Sequence, residues 1–300
     1  MNQNRAILVK AAGVSIAKGS KSFAFASKLF DQPTRERAWL LYSWCRRCDD
    51  LADGQEHGGA LATAHDARAA LVLIRELTAR ALAGETTGDV AFDALGLVVA
   101  ECNIPHHYVH DLIDGFSLDA ADWRPQSEAD LLKYCYHVAG TVGCMMAVIM
   151  GISPSDKATM ARANDLGLAF QLANIARDIG EDAAAGRCYI PKDWLIAADI
   201  APGEHMEPRN RSQLANIARR MANTAQEYEA SARIGARQLP FRARWAVLSA
   251  AAIYGDIARQ VAARGQTAWD TRVATTKADK LGRVAKAAVQ AVQFNRHKRA

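Results

Sequence analysis

Residues 40–53 read LLYSWCRRCDDLAD. Apolar residues recur at helical spacing through most of this stretch, and then Asp49, Asp50 and Asp53 crowd its end. Asp49 and Asp53 stand four apart, so on a helix they share a face and repel each other by about 0.2–0.5 kcal/mol. A mostly apolar helix that carries this repulsion implies a cation between the carboxylates. The stretch therefore predicts a buried helix with one cation-seeking face.

The spacing recurs far along the chain, in GLAFQLANIARDIGED at 167–182. At about 100° per residue, Gln171, Asn174, Asp178 and Asp182 fall within one stripe about 80° wide. Leu168, Leu172, Ile175 and Ile179 form the adjoining apolar strip. In the first stretch Tyr42, Cys45, Asp49 and Asp53 have the same offsets, Arg46 lies on their stripe, and Arg177 immediately precedes Asp178. One D-x-x-x-D is common on a solvated helix face. Two copies, each beside an apolar strip and near an arginine, predict two walls of one cavity. Carboxylates facing each other across a helical bundle suit Mg²⁺, a hard cation whose octahedron a substrate phosphate completes. Arginines nearby would hold that phosphate through forked hydrogen bonds.

The rest of the chain sets bounds on this reading. Of 300 residues half are hydrophobic and 7% aromatic, which supports a large core and excludes disorder. A net charge of +5 suits an anionic ligand or lipid surface, and falls short of a nucleic-acid binder. The six cysteines (45, 48, 102, 135, 144, 188) are scattered, and Cys45/Cys48 is a lone C-x-x-C, so reduced thiols are expected rather than zinc. The N-terminus lacks the apolar core of a secretory signal. The longest uncharged apolar run, VAGTVGCMMAVIMGI at 138–152, is shorter than a spanning helix needs and predicts a buried core helix. A cytoplasmic protein is expected, free or held peripherally at the inner membrane surface.

Nearly every segment follows the helical period, with Ala, Leu, Arg and Glu prominent. Breaks fall at 30–34, 53–59, 83–89, 102–107, 121–128, 151–156, 186–193, 199–210 and 238–242. Ser127 with Asp130 predicts a capping box, and Ser153-Pro154 predicts an N-cap followed by proline in the first turn. No linker interrupts the pattern, so residues 1–300 are expected to form one all-α domain of roughly ten helices.

YSWCRRCDDLAD (42–53), YCYHVAGTVGCMM (134–146) and AFQLANIARDIGEDAAAGRCYIPKDW (169–194) resemble the motifs of the squalene/phytoene synthase family, most closely its bacterial phytoene-forming members. GSKSF at 19–23 resembles that family's N-terminal substrate loop, and the resemblance runs from about residue 15 to 285. It implies a single-domain isoprenoid-synthase helical bundle around a central cavity, trinuclear Mg²⁺ and head-to-head joining of two prenyl diphosphates.

Carried over residue by residue, the resemblance makes Asp49, Asp53, Asp178 and Asp182 the two aspartate-rich motifs, with Asn174 a further metal ligand. Arg46, Gln171, Asn174, Arg177 and Tyr189 match positions that hold diphosphate or metal. Ser20, Ser22 and Phe23 match the loop that closes over substrate. Tyr134, Val138 and Val142 match the cavity wall near the reacting carbons, and Tyr254 and Arg272 the C-terminal diphosphate contacts. A second family aromatic after Phe23 is shifted: Phe25 is present, and Ser27 holds the expected place. Phe23, Tyr42 and Tyr134 are expected to face an allylic cation, and Gly140 and Gly143 to clear a path for a prenyl tail.

The expected reaction joins two geranylgeranyl diphosphates to phytoene with Mg²⁺, or Mn²⁺ in its place, and without NADPH. The alternatives are dehydrosqualene or squalene formation from farnesyl diphosphate, and a non-catalytic helical scaffold. No nucleic-acid partner is expected. PHHYVHD at 105–111 offers His106/His110 and His107/Asp111 at helical spacing, but the stretch opens a helix after Pro105 and is read as a solvated first turn. The basic tail RHKRA at 296–300 is a candidate contact with anionic lipid.

Overall fold

The computed structural model describes residues 2–54 and 66–296, among which there is no β-strand. The first half comprises α1 (Asn2–Gly19), α2 (Lys21–Ser27), α3 (Gln32–Asp53), α4 (Ala67–Leu82), α5 (Val90–Cys102) and α6 (His106–Ala120). Next, α7 (Glu128–Cys135) runs through a five-residue π-helical segment, Tyr136–Gly140, into α8 (Thr141–Ile149). The second half comprises α9 (Lys157–Ala184), α10 (Lys192–Ala197), α11 (Arg211–Gly235), α12 (Phe241–Arg264) and α13 (Lys277–Arg296). The all-α expectation holds, with thirteen α-helices among the described residues where roughly ten were read.

Caps explain where the two acid-bearing helices begin and end. Asp31 accepts from Thr34 N–H at 2.9 Å to open α3, and Pro33 sits in its first turn, where a missing N–H costs nothing. Gly54, at φ 62°, closes α3 in the left-handed conformation immediately after Asp53. The capping box of Ser127 and Asp130 opens α7 as expected. Ser153 does not cap α9. Its hydroxyl lies 2.7 Å from that of Ser155, and Asp156 is the cap, accepting from Thr159 N–H at 3.0 Å. Asp156 offers the same acceptor directly before the first helical residue, so Pro154 stays in the preceding turn.

The helices pack as three apolar clusters, the smallest joining Phe30, Met150, Leu239 and Leu248 beside two larger ones. One gathers Leu40, Leu41 and Trp44 of α3 with Ile74, Phe92, Leu95, Ile113 and Met145. The other gathers Leu168, Leu172, Ile175 and Ile179 of α9 with Leu131, Leu214, Met221 and Val261. The apolar strip read on α9 is thus buried along its length. Each such side chain contributes about 1.5–3 kcal/mol, which outweighs the few tenths by which Asp49 and Asp53 repel. Burial on the other faces is what allows α3 to keep an acidic face.

α7 and α8 are one continuous helix, Glu128–Ile149, which by length and composition could cross a membrane; half of its most apolar window is buried within the bundle. The close approach of α8 to α9 needs glycine. A Cβ on Gly143 would lie 2.3 Å from the carbonyl oxygen of Ala163, and one on Gly140 would lie 2.1 Å from Asn164 Oδ1. These glycines therefore serve helix packing. Gly143 also reaches the cavity wall, whereas Gly140 does not. His106, His107 and His110 are exposed on the first turn of α6, as read.

Candidate active site

Among the three clusters lies an apolar cavity of about 360 Å³. Its wall includes Ser20 and Phe23 of α2, Tyr42 of α3, Val138 of the π-helical segment, Val142 of α8, Phe170 of α9 and Tyr254 of α12. Ser20 caps α2 by accepting from Phe23 N–H at 3.2 Å. The Phe23 and Tyr42 rings lie 5.6 Å apart, and Tyr254 stacks on Phe170 at 4.2 Å. Burial pushes the Tyr42 phenol up to about 12, so it stays protonated. The side chain of Ser22 lies outside the described residues, as does most of the basic tail.

The acidic groups collect where helices end. Asp53, Asp119 and Asp182 sit in the last turns of α3, α6 and α9, where the negative ends of the helix dipoles add to carboxylate charge. Asp49 and Asp178 lie one turn earlier on the same faces. Burial raises Asp49 to about 6; Arg46 opposes the shift, and Asp53 and Asp50 reinforce it. Its side chain keeps 47% of its surface accessible, at the rim of this acidic cluster, the mouth of the site. Burial, with Asp178 next, raises Asp182 to about 7. The site is short of positive charge.

Arginines supply part of the balance. Arg46 spans Asp49 at 3.0 Å and Asp50 at 2.7 Å. Arg177 forks onto both oxygens of Asp178, and Arg272 reaches Asp178 at 3.0 Å and Glu181 at 2.9 Å. Arg187, from the loop after α9, pairs with Asp53 at 2.5 Å across the mouth. Gln171 and Asn174 are half-buried on the face of α9 that leads to Asp178.

Tyr134 is placed differently from the expectation: it does not line the apolar cavity, and neither does Tyr189, read as a diphosphate or metal contact. Tyr134 stacks with Trp123 at 5.7 Å and with Tyr189 at 4.9 Å, and both phenols donate to Asp119, at 3.0 and 2.8 Å. With its ring engaged in this stack and buried, Tyr134 offers no open aromatic face.

Asp119 and Arg187 are the residues that sequence reading missed. The signal for Asp119 was its position: Tyr108, Leu112 and Gly115 are buried on one stripe of α6, and Asp119 continues it. Arg187 stands inside the GRCYIPKD break, where no helical period marks a direction.

The donor set suits a hard divalent cation, since every candidate ligand offers oxygen. Among the described residues no three carboxylate, imidazole or thiolate side chains converge on one point. Each ion would thus draw only one or two carboxylates from the protein, the usual arrangement for Mg²⁺ completed by water and substrate phosphate.

The chain is 44% identical to 15-cis-phytoene synthase of Pantoea ananas, over 96% of this chain and 94% of that protein. It is 43% identical to phytoene synthase of Pseudescherichia vulneris, over 93% and 90%. Among solved structures, a dehydrosqualene synthase in complex with ligand superposes with a TM-score of 0.85 at 26% identity, covering 96% of this chain and 97% of that one. The sequence signature described as squalene/phytoene synthase matches residues 16–279, and the chain belongs to that family.

Proposed function

We propose that this protein is a phytoene synthase, a prenyltransferase that joins two geranylgeranyl diphosphates head to head. The observation that carries this reading is a large apolar cavity whose wall residues Tyr42 and Tyr254 adjoin Arg46 and Arg177, the arginines beside the two aspartate pairs. Near-full-length relatives named phytoene synthase support it over the farnesyl-specific and scaffold alternatives.

Asp49, Asp53, Asn174, Asp178 and Asp182 are the residues to hold Mg²⁺, or Mn²⁺ in its place. When bound, the ions withdraw charge from the departing diphosphate. Arg46, Arg177 and Arg272, now paired with carboxylates, are placed to turn their forks to phosphate once cations neutralise those carboxylates. The apolar wall keeps water from the allylic cation that ionisation leaves. The ring faces of Phe23 and Tyr42 lie on that wall and stabilise positive charge. Addition of that cation to the second substrate's double bond, with loss of a proton as the ring closes, gives a cyclopropylcarbinyl diphosphate, which ionises again with departure of the second diphosphate, rearranges and loses a second proton. Proton loss ends the reaction, so no hydride donor is consumed.

Peripheral contact with the cytoplasmic face of a membrane belongs to the same reading, since substrate tails and product are lipid-like. α13 supports it: Leu281 and Val289 are each 59% exposed and Val292 44%, beside exposed Lys277 and Lys286.

The test is direct. Purified protein with Mg²⁺ and detergent is given geranylgeranyl or farnesyl diphosphate, with and without NADPH, and the hydrocarbons are extracted. Phytoene from the twenty-carbon substrate, unaffected by NADPH, is expected. Squalene that requires NADPH would transfer the assignment to the fifteen-carbon reaction. No condensed hydrocarbon from folded protein would leave the scaffold.

A further inference from the structure

The cluster around Asp119 lies between the cavity and the acidic mouth. Tyr134 is one helical turn before Val138, which lines the cavity. On the other side, the charge of Asp119 is felt at Asp49 and Asp182, and Asp119 in turn feels Asp53 and Arg187. Three segments distant in sequence meet here: the end of α6, the end of α7 and the loop after α9. A phenol has one proton to donate. Tyr134 and Tyr189 both give theirs to the two oxygens of this one carboxylate. Each phenol oxygen is then left as an acceptor only, and each ring is made electron-rich by a charged partner in a poorly solvated setting.

We propose that Asp119 is a positioning residue for the condensation: it locks the Tyr134 and Tyr189 hydroxyls as donors to itself, fixing the Trp123–Tyr134–Tyr189 stack and keeping both phenols from donating to the diphosphate. Two consequences follow. Neither of these two phenols then donates to the diphosphate, so neither stabilises the ground state that must break. The negative charge concentrated by the Tyr134–Tyr189–Asp119 cluster lies one helical turn from cavity-lining Val138, so its effect is on the barrier more than on substrate binding.

The inference rests on the proposed reaction, and its test separates the two. Asp119→Asn keeps the shape but replaces one acceptor oxygen by a donor, so only one tyrosine can keep its bond. We expect kcat to fall on the order of 100-fold, the scale of losing one preorganised hydrogen bond beside developing charge, while KM for geranylgeranyl diphosphate stays within about threefold. In Asp119→Asn combined with Tyr134→Phe and Tyr189→Phe, the losses should fall well short of multiplying, because the three act as a unit. Near-ultraviolet circular dichroism reads the ring stack without any turnover, and its aromatic signal should weaken in Asp119→Asn while the far-ultraviolet signal stays helical. Retained kcat, multiplying losses, a KM rise that accounts for the whole effect, or an unchanged near-ultraviolet signal would each overturn the proposal. If the wild-type protein makes no hydrocarbon, the functional reading fails instead, and the spectroscopic comparison still decides whether Asp119 fixes the stack.

Discussion

The two acid-bearing helices carry the same D-x-x-x-D, yet the protein compensates them differently. On α3 the cations come singly: Arg46 from the same helix serves Asp49, and Arg187 from 134 residues away serves Asp53. On α9 two arginines converge on Asp178, one adjacent in sequence and one 94 residues distant. Asp182 has mainly the field of Arg187 to offset its burial, and so rises to about 7, against about 6 for Asp49. The comparison teaches that spacing specifies which carboxylates share a face, and the neighbours decide how much charge remains for a cation to neutralise. By that measure Asp182 is the most cation-hungry position.

The largest effect that can break this view is loss of a carboxylate. Asp49→Asn, Asp53→Asn, Asp178→Asn and Asp182→Asn should each lower kcat/KM on the order of 10³-fold, the several kcal/mol that metal-ion catalysis supplies. The helical circular dichroism signal should remain. Full turnover in EDTA, or in any two of these variants, would remove the cation from the account.

A smaller effect distinguishes the arginines. Arg46→Ala and Arg177→Ala should each lose on the order of 100-fold in turnover, as forked phosphate contacts do when removed beside developing charge. Arg47→Ala is the control: its guanidinium points to Asp89 at 2.9 Å, 42% exposed, away from the mouth. It should cost at most about 1 kcal/mol of stability and leave turnover intact. Equal losses at Arg46 and Arg47 would mean that the face of α3 is wrongly assigned.

The smallest effect concerns pH, and its sign follows from the raised carboxyls. The ordinary aspartate value is 3.8, whereas Asp49 and Asp182 are held at about 6 and about 7 in the fold. Between those values the folded chain binds protons that the unfolded chain has already lost. Stability from these groups is therefore gained as pH falls through about 7 and lost as it rises. In metal-free protein Tm should increase from pH 8 to pH 6 by roughly a few degrees, and saturating Mg²⁺ should flatten the slope. Asp182→Asn should remove more of the slope than Asp49→Asn, since Asp182 is held further above the ordinary value. The reverse order would overturn the ranking of the two walls.

The sequence by itself determined the features that repeat at helical period. The acidic stripe and apolar strip of α9, the acidic end of α3 and the capping box at Ser127 are all local, because residues three and four apart must meet on one helix face whatever the rest of the chain does. Ser153 marks the limit of that logic: two acceptors lay within a few residues, and packing of the turn chose Asp156. Only the tertiary structure decided that Arg187 closes on Asp53, that Arg272 joins Asp178, and that Gly143 admits the backbone of α9 rather than only a substrate tail. Asp119 belongs with these. Its meaning depends on Tyr134 and Tyr189 arriving from 15 and 70 residues away, and no period in the chain encodes contacts of that range, which are fixed when the apolar faces of distant helices are buried together.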